Sequence, residues 1–126
     1  MRDVAQPPSD HFTKLDQFTR VDHRDFHPAV DPSSPALSKS QAGMVIIITG
    51  ASRGIGRKGF AASFAKAVAK ALVLIARSAS GLAETAADAK AINPKIEALE
   101  IPADASDEAS VNAAFAMLLL LVLRRY

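Results

Sequence analysis

The sequence predicts an α/β fold with a parallel sheet, because apolar strand-like runs alternate with segments of helical periodicity from Met44 onward. Three such runs occur, and a helical segment follows each of them, so the predicted order is β-α-β-α-β-α with right-handed crossovers. A glycine-rich stretch joins the first strand to the first helix. The chain has 126 residues, of which 49% are apolar, and this suits one small domain with a hydrophobic core.

The first βα unit is predicted from two adjacent patterns. Residues 44–49 form a β-branched apolar run, which is typical of a strand covered on both faces. Residues 55–70 have helical periodicity, with apolar side chains on one side and lysines on the other. A glycine commonly ends such a helix, and residues 68–70 contain none, so we expect a strained or unusually built turn there.

The second and third units follow from similar patterns. Residues 71–76 predict a second buried strand, and residues 81–92 predict a helix that Pro94 stops. Residues 96–101 predict a third strand that is more polar and is therefore expected at an edge of the sheet. Ser106 is expected to start the third helix, whose first turn is acidic. The predicted strand order is 3-2-1.

The two ends of the chain differ from this alternating core. Residues 1–43 are proline-rich and show no apolar period, so we predict an extended, disordered leader before a domain over residues 44–126. Residues 115–126 form an atypical apolar tail that lacks a polar face, and helix, strand and disorder all remain open for it. The tail is shorter than the roughly 20 residues that a membrane span requires, so no membrane association is predicted.

Composition excludes several classes of function. The net charge is +2 and the basic residues are scattered, so nucleic acid is not an expected partner. The chain has no cysteine, which excludes disulfides and thiolate metal sites and fits a cytoplasmic location. His23 and His27 are one helical turn apart, but Pro28 follows them, and we interpret both as solvated histidines and predict no metal site.

Residues 49–56, Thr-Gly-Ala-Ser-Arg-Gly-Ile-Gly, are the strongest functional signal. A glycine-rich turn between a strand and a helix typically binds phosphate, because backbone N–H groups of the first helical turn face the anion. No Gly-Lys-Ser/Thr follows, which excludes a P-loop. The ligand contacts predicted from this loop are Gly50, Ser52, Arg53, Gly54, Ile55 and Gly56.

The spacing of Thr49, Gly50, Gly54 and Gly56 resembles the Thr-Gly-x-x-x-Gly-x-Gly pattern of the short-chain dehydrogenase/reductase family. The resemblance covers residues 44 to about 115. It implies a Rossmann-like, doubly wound sheet that is truncated here to about three βα units. It also implies a nicotinamide dinucleotide as the bound partner and hydride transfer between NADPH and a carbonyl or alcohol.

The end of the second predicted strand indicates which dinucleotide is bound. An acidic residue there accepts a hydrogen bond from the 2′-hydroxyl of NAD, whereas an arginine accommodates the 2′-phosphate of NADP. Ala76 occupies the acidic position, and Arg77 and Ser78 follow it, so NADP is predicted in preference to NAD. Asp104 resembles the family's Asp-Val-Thr/Ser element, whose aspartate contacts the adenine amino group. A helix N-cap is the alternative role for this aspartate.

Other family elements have no counterpart in this sequence. The family's Tyr-x-x-x-Lys pair is absent, because the single tyrosine is Tyr126, so we predict a truncated chain and no catalytic residue. Two alternatives stay open: a non-catalytic module that binds a nucleotide or pairs with another subunit, and a gene fragment without function. Without a fourth strand, one edge of the first strand is open, which predicts self-association through that edge.

Overall fold

A computed structural model describes residues 27–125 of the chain, which form one three-stranded parallel sheet with helices on both faces. The strands are β1 (Val45–Thr49), β2 (Ala71–Ala76) and β3 (Glu97–Pro102). The helices are α1 (a π-helical part, Ile55–Ala61, continued by Ala62–Lys66), α2 (Ala79–Ile92) and α3 (Glu108–Arg125). Before β1, a single 3-10 turn spans Pro28–Val30.

The central strand is β2, which pairs in parallel with β1 on one side and with β3 on the other. Val45 lies opposite Ala71, and Ala71 lies opposite Glu97, so the strands begin in register. Every side chain of β2 is buried, as expected for a strand that is covered on both faces. The predicted α/β class, the parallel pairing and the 3-2-1 order are confirmed.

Alternation along the strands divides the core into two layers, because successive side chains point to opposite faces of a sheet. One layer lies between the sheet and the helices α1 and α2, and includes Leu72, Leu74, Ala61, Ala65, Leu82 and Ala86. The other lies between the sheet and α3, and includes Val73, Ile75, Ile101, Ala103, Ala114 and Leu118. Alanines predominate on the helices, which lets their backbones approach the sheet closely.

Helix α1 ends earlier than predicted, at Lys66, because the chain turns out of the helix at Val68. The N–H of Val68 donates to the carbonyl of Ala65 at 3.2 Å, and that of Ala69 donates to Phe64 at 3.1 Å. These two bonds define a Schellman motif, whose left-handed position is usually a glycine. Here that position is Val68, with a φ of +60°. A β-branched residue is strained in this conformation, as the missing glycine predicts.

Helix α3 begins at Glu108 and not at Ser106, which corrects the predicted start by two residues. The carboxylate of Asp107 accepts the N–H of Ser110 at 3.1 Å and thereby caps the first turn. The helix continues to Arg125, so residues 115–125 of the apolar tail are helical. Within residues 27–125, no helix has both the length and the apolar character that crossing a bilayer requires.

Part of the predicted leader packs against the domain. Ala42 forms an antiparallel bridge with Ala69, and the N–H of Gln41 donates to the carbonyl of Ala67 at 3.3 Å. These contacts hold the chain before β1 against the turn that ends α1. Residues 1–26 lie outside the described range, so the disorder predicted for them and the domain boundary at residue 44 stay predictions.

Candidate functional site

A groove of about 940 Å³ lies at the carboxyl ends of the three strands. Ligands of open α/β sheets bind at this edge, because the loops that follow parallel strands meet there. Its walls come from the loops after β1, β2 and β3 and from the first turns of α3. The lining residues are Thr49, Gly50, Ser52, Arg53, Ile75, Ala76, Arg77, Ser78, Ala103, Asp104, Ala105, Ser106, Val111, Ala114 and Phe115.

Most of the sequence-predicted contacts lie on this groove, although they come from three separate loops. The lining includes Gly50, Ser52, Arg53, Arg77, Ser78 and Asp104. The other three predicted contacts are not lining residues: Gly54 is the N-cap of α1, and Ile55 and Gly56 are its first two residues. The fold therefore gathers the loop, the arginines and the aspartate around one cavity.

The glycine loop has a backbone that other residues would not adopt easily. Gly54 has φ +59° and ψ −137°, and a Cβ built on it would meet no atom within 4 Å. Its backbone therefore faces open space, where an anion can approach it. Gly56 is required for a different reason, because a Cβ there would lie 2.9 Å from the carbonyl carbon of Gly50. This geometry fits a cradle for a pyrophosphate.

Buried contacts anchor the loop to β2 and α2. Ala51 is fully buried, and its N–H donates to the carbonyl of Ile75 at 3.3 Å. Its carbonyl oxygen accepts a hydrogen bond of 2.7 Å from the hydroxyl of Thr85, which is also fully buried. The sequence analysis did not identify Thr85. In the sequence, Thr85 places a hydroxyl group on the apolar face of the alanine-rich helix α2, and this pattern could have indicated a buried hydrogen bond.

The first turn of α2 is packed tightly against the same loop. A Cβ on Gly81 would lie 2.8 Å from Cβ of Ser52 and 2.9 Å from its carbonyl oxygen. Ser78 is the N-cap of α2, and its Oγ accepts the N–H of Gly81 at 3.2 Å. Ser78 thus has a structural role that the sequence analysis did not assign, while its side chain also lines the groove.

The arginines of this region fall into two groups. Arg57 joins α1 to α2, because its guanidinium pairs with Glu84 and, through Nε at 2.7 Å, with Asp88. Hydrogen bonds to Asp88 and then to Glu84 raise the pKa of Arg57 above its ordinary value. Arg53 and Arg77 are exposed on the groove, and neither forms an ion pair with a carboxylate among the described residues. Their donors are therefore available to an anionic ligand.

Asp104 closes the turn after β3 and does not cap α3. Its Oδ1 accepts hydrogen bonds from the hydroxyl of Ser106 at 2.7 Å and from the N–H of Ser106 at 2.9 Å. The hydrogen bond from the Ser106 hydroxyl and, to a smaller extent, that from the Ser106 N–H hold the pKa of Asp104 below its ordinary value. The charge of Arg77 lowers this pKa further. The carboxylate is therefore ionised at neutral pH and accepts hydrogen bonds at the groove wall.

The described residues contain no cluster of three or more His, Asp or Glu side chains that could hold a metal ion. The ring of His27 caps the 3-10 turn, because its Nδ1 accepts the N–H of Ala29 at 3.2 Å. The other two histidines, His11 and His23, lie outside the described residues.

An open parallel sheet, a glycine turn after its first strand and a groove at its carboxyl edge define a Rossmann-like domain. The sequence model of the short chain dehydrogenase family matches residues 44–120. The chain belongs to this short-chain dehydrogenase/reductase family, whose members bind nicotinamide dinucleotides. The match confirms the family resemblance of the cofactor-binding half.

Curated fungal relatives extend the similarity beyond the matched domain. Short chain dehydrogenase mpl6 of Monascus purpureus is 39% identical over 116 residues, covering 90% of this chain and 37% of the relative. Short chain dehydrogenase tazN of Aspergillus terreus is 43% identical over 97 residues, covering 76% of this chain and 20% of the relative. The first alignment includes part of the segment before β1. The chain spans little more than a third of the first relative's length and a fifth of the second's.

Solved structures of the family share the fold. Levodione reductase superposes with a TM-score of 0.58 at 36% identity, covering 62% of this chain and 30% of that one. L-Sorbose reductase from Gluconobacter frateurii, complexed with NADPH and L-sorbose, superposes with a TM-score of 0.58 at 33% identity. This superposition covers 65% of this chain and 30% of the reductase. A metagenomic short-chain oxidoreductase in complex with NADP superposes with a TM-score of 0.58 at 30% identity. This superposition covers 65% of this chain and 35% of the oxidoreductase.

Proposed function

We propose that this chain binds NADP(H) in the groove at the carboxyl edge of its sheet. It would form the cofactor-binding part of an oxidoreductase that transfers hydride between NADPH and a carbonyl or alcohol. The observation that carries the proposal is the glycine loop: Gly50, Ser52 and Arg53 line the groove, and the backbone at Gly54 faces open space. Two solved relatives contain NADPH or NADP, which supports this choice of ligand.

The pyrophosphate is assigned to the loop Gly50–Gly56. Its N–H groups and the amino end of α1 present partial positive charge to the phosphates. Ser52 adds a half-buried side chain on the groove, and Ile55 starts the helix. The contacts of Ala51 with β2 and α2 keep this backbone in place before a ligand arrives.

The 2′-phosphate of the adenosine ribose is assigned to Arg77 and Arg53. Both guanidinium groups lie on the groove, and a planar fork of donors matches phosphate geometry. Ala76 offers no carboxylate to the 2′-hydroxyl of NAD, which favours NADP. Ser78 lies beside Arg77 and is assigned to the same ribose phosphate. The Asp104 carboxylate is assigned to the adenine amino group, which donates to it.

The bound nicotinamide would supply or accept the hydride, and this chain would contribute binding and orientation. A group of suitable pKa must also transfer the proton. The sequence contains one tyrosine, Tyr126, and no Tyr-x-x-x-Lys pair. We therefore propose that the chain by itself binds the cofactor without turning over a carbonyl substrate. A non-catalytic module that binds a nucleotide is accordingly the second candidate function. NADPH consumption above background by the purified chain, abolished by Gly54→Ala, would contradict this.

Calorimetry with NADPH tests the binding proposal directly. We expect saturable binding by the wild-type chain and its loss in Gly54→Ala, because a side chain is strained at this φ and would occupy the open space that we assign to the phosphates. Gly43→Ala is the matched control, since Gly43 also has a positive φ, of +81°, a Cβ there meets no atom within 4 Å, and Gly43 does not line the groove. A wild-type chain that does not bind NADPH would overturn the proposal, as would equal binding by Gly54→Ala.

A second proposal concerns partners. Among the described residues β1 pairs only with β2, and Ile47 on β1 is 45% exposed. An apolar strand with an unpaired edge is a template for another strand. We propose that copies of this chain associate through the free edge of β1.

A further inference from the structure

We infer that Phe115 stacks on the adenine ring of the dinucleotide as an aromatic wall of the groove. This inference rests on the proposed NADP(H) binding and adds a contact that no sequence motif indicates. Phe115 belongs to the apolar tail, which has no assigned role in binding. Its position on α3 places a phenyl ring in the lining of the same groove as Arg77 and Asp104.

The order of groups in the ligand determines where the base lies. The pyrophosphate joins the adenosine ribose at its 5′ carbon, and the 2′-phosphate and the base are attached to the neighbouring 2′ and 1′ carbons. With the pyrophosphate on the loop after β1 and the 2′-phosphate on Arg77 after β2, the base lies beyond Arg77 toward β3. The lining residues that follow β3 in the chain include Asp104, Ser106 and residues in the first turns of α3.

The backbone that carries Phe115 is fixed against the sheet. Its neighbour Ala114 is 5% exposed and Leu118 is 7% exposed, and both pack with Ile75 and Ile101 in the core. Phe115 itself is 50% exposed. A rigid helix thus holds a half-exposed aromatic ring at the groove, which reduces the ordering cost of stacking.

The apolar surface around Phe115 and the carboxylate of Asp104 are together complementary to a purine. Val111, one turn before Phe115, also lines the groove and extends its apolar surface. The carboxylate of Asp104 supplies an acceptor for an exocyclic amino group. A planar base therefore meets an apolar face and a polar edge, the combination that recognises nucleobases in single-stranded nucleic acid sites.

The inference is tested with adenosine 2′,5′-bisphosphate and NADPH as probes. We expect Phe115→Ala to weaken both by roughly fivefold to a hundredfold, the usual effect of removing a stacking aromatic. Proton NMR of the bound bisphosphate should show ring-current shifts of adenine H2 and H8 in the wild type. These shifts should be absent in Phe115→Ala and present in Phe115→Tyr.

The matched control is Phe60→Ala, because Phe60 is 53% exposed on α1 and does not line the groove. It should bind both probes as the wild type does. Phe115→Leu retains apolar volume without a π face, so it tests stacking if the alanine variant folds poorly. If both Phe115→Ala and Phe115→Leu bind the probes with wild-type affinity and show the wild-type ring-current shifts, the inference is wrong and the proposed function is unaffected. Failure of the wild type to bind either probe would overturn it together with the proposed function.

Discussion

The hydroxyl of Thr85 on α2 donates to the carbonyl oxygen of Ala51 in the glycine loop at 2.7 Å, and both residues are fully buried. This bond joins two elements that are 34 residues apart in the chain. The same hydroxyl lies 2.9 Å from the carbonyl oxygen of Gly81, one turn earlier on α2. Because Ala51 also donates to β2, the loop is held from both sides before any ligand binds.

Replacing Thr85 with valine should lower the free energy of unfolding by about 1–3 kcal/mol, because the buried carbonyl of Ala51 loses its hydroxyl donor while the side-chain shape is retained. Urea denaturation measures this change. Thr85→Ser keeps the hydroxyl and should lose less stability than Thr85→Val. A valine variant as stable as the wild type would show that the bond does not stabilise the loop.

Arg77 should determine the preference between the two dinucleotides. We expect the wild-type chain to bind NADPH about tenfold or more tightly than NADH, because the guanidinium meets a phosphate that NADH lacks. Arg77→Ala should remove most of this preference by weakening NADPH binding alone. Calorimetry with both dinucleotides measures it.

The control for this comparison is Arg124→Ala, which removes the same charge from an exposed position outside the groove lining. It should leave both affinities close to those of the wild type. Equal affinities of the wild type for NADPH and NADH would contradict the assignment of Arg77.

The alternating pattern predicted the three strands and their order, because strand positions follow from continuous apolar runs such as residues 71–76. The predicted helix ends were less accurate, because helix ends depend on capping contacts. Asp107 caps α3, which begins two residues later than predicted, and the left-handed conformation of Val68 ends α1 earlier than predicted. The loop motif predicted ligand contacts, of which Gly50, Ser52 and Arg53 line the groove, and their role in binding stays a prediction. Thr85 and Phe115 were missed, because their roles arise from packing between elements that are distant in sequence.

The pKa of Asp104 should rise toward its ordinary value when Ser106 is replaced by alanine, because the Ser106 hydroxyl is the largest cause that lowers it. Arg77→Ala should raise it less, since the charge of Arg77 is the smallest of the lowering causes. A carbon NMR titration of the Asp104 carboxyl measures both shifts. Ser80→Ala, which removes a hydroxyl that does not contact Asp104, is the control and should change nothing.

The lowered pKa also has a consequence for stability. Folding favours the carboxylate, so this contribution is fully present above the unfolded pKa near 3.8 and is lost as the pH falls through the lower folded value. The contribution should therefore be constant from neutral pH down to about pH 5 and decline below it. In Ser106→Ala the acid-dependent loss attributable to Asp104 should be smaller. A larger loss in that variant would contradict the sign of the shift.

Val68→Gly should stabilise the chain by about 0.5–1 kcal/mol. The φ of +60° strains a β-branched residue by roughly 1–2 kcal/mol, and the added freedom of glycine in the unfolded chain offsets part of the gain. Val68→Ala is the control, because alanine keeps a Cβ at the strained position and should gain less. Thermal or urea unfolding of the three proteins measures the order of stability. A glycine variant less stable than the wild type would mean that the contacts of the Val68 side chain outweigh the strain.

Self-association through β1 should depend on Ile47 more than on the exposed side chains of α3. Ile47→Lys introduces a charge beside the unpaired edge, and pairing with a second strand would have to desolvate it. Leu120 is 68% exposed on α3, so Leu120→Lys is a control that adds the same charge away from the edge. Sedimentation velocity over a range of concentrations should show a lower average mass for Ile47→Lys only. If Leu120→Lys dissociates the chain and Ile47→Lys does not, the interface lies on α3, and the free edge of β1 is not the site of association.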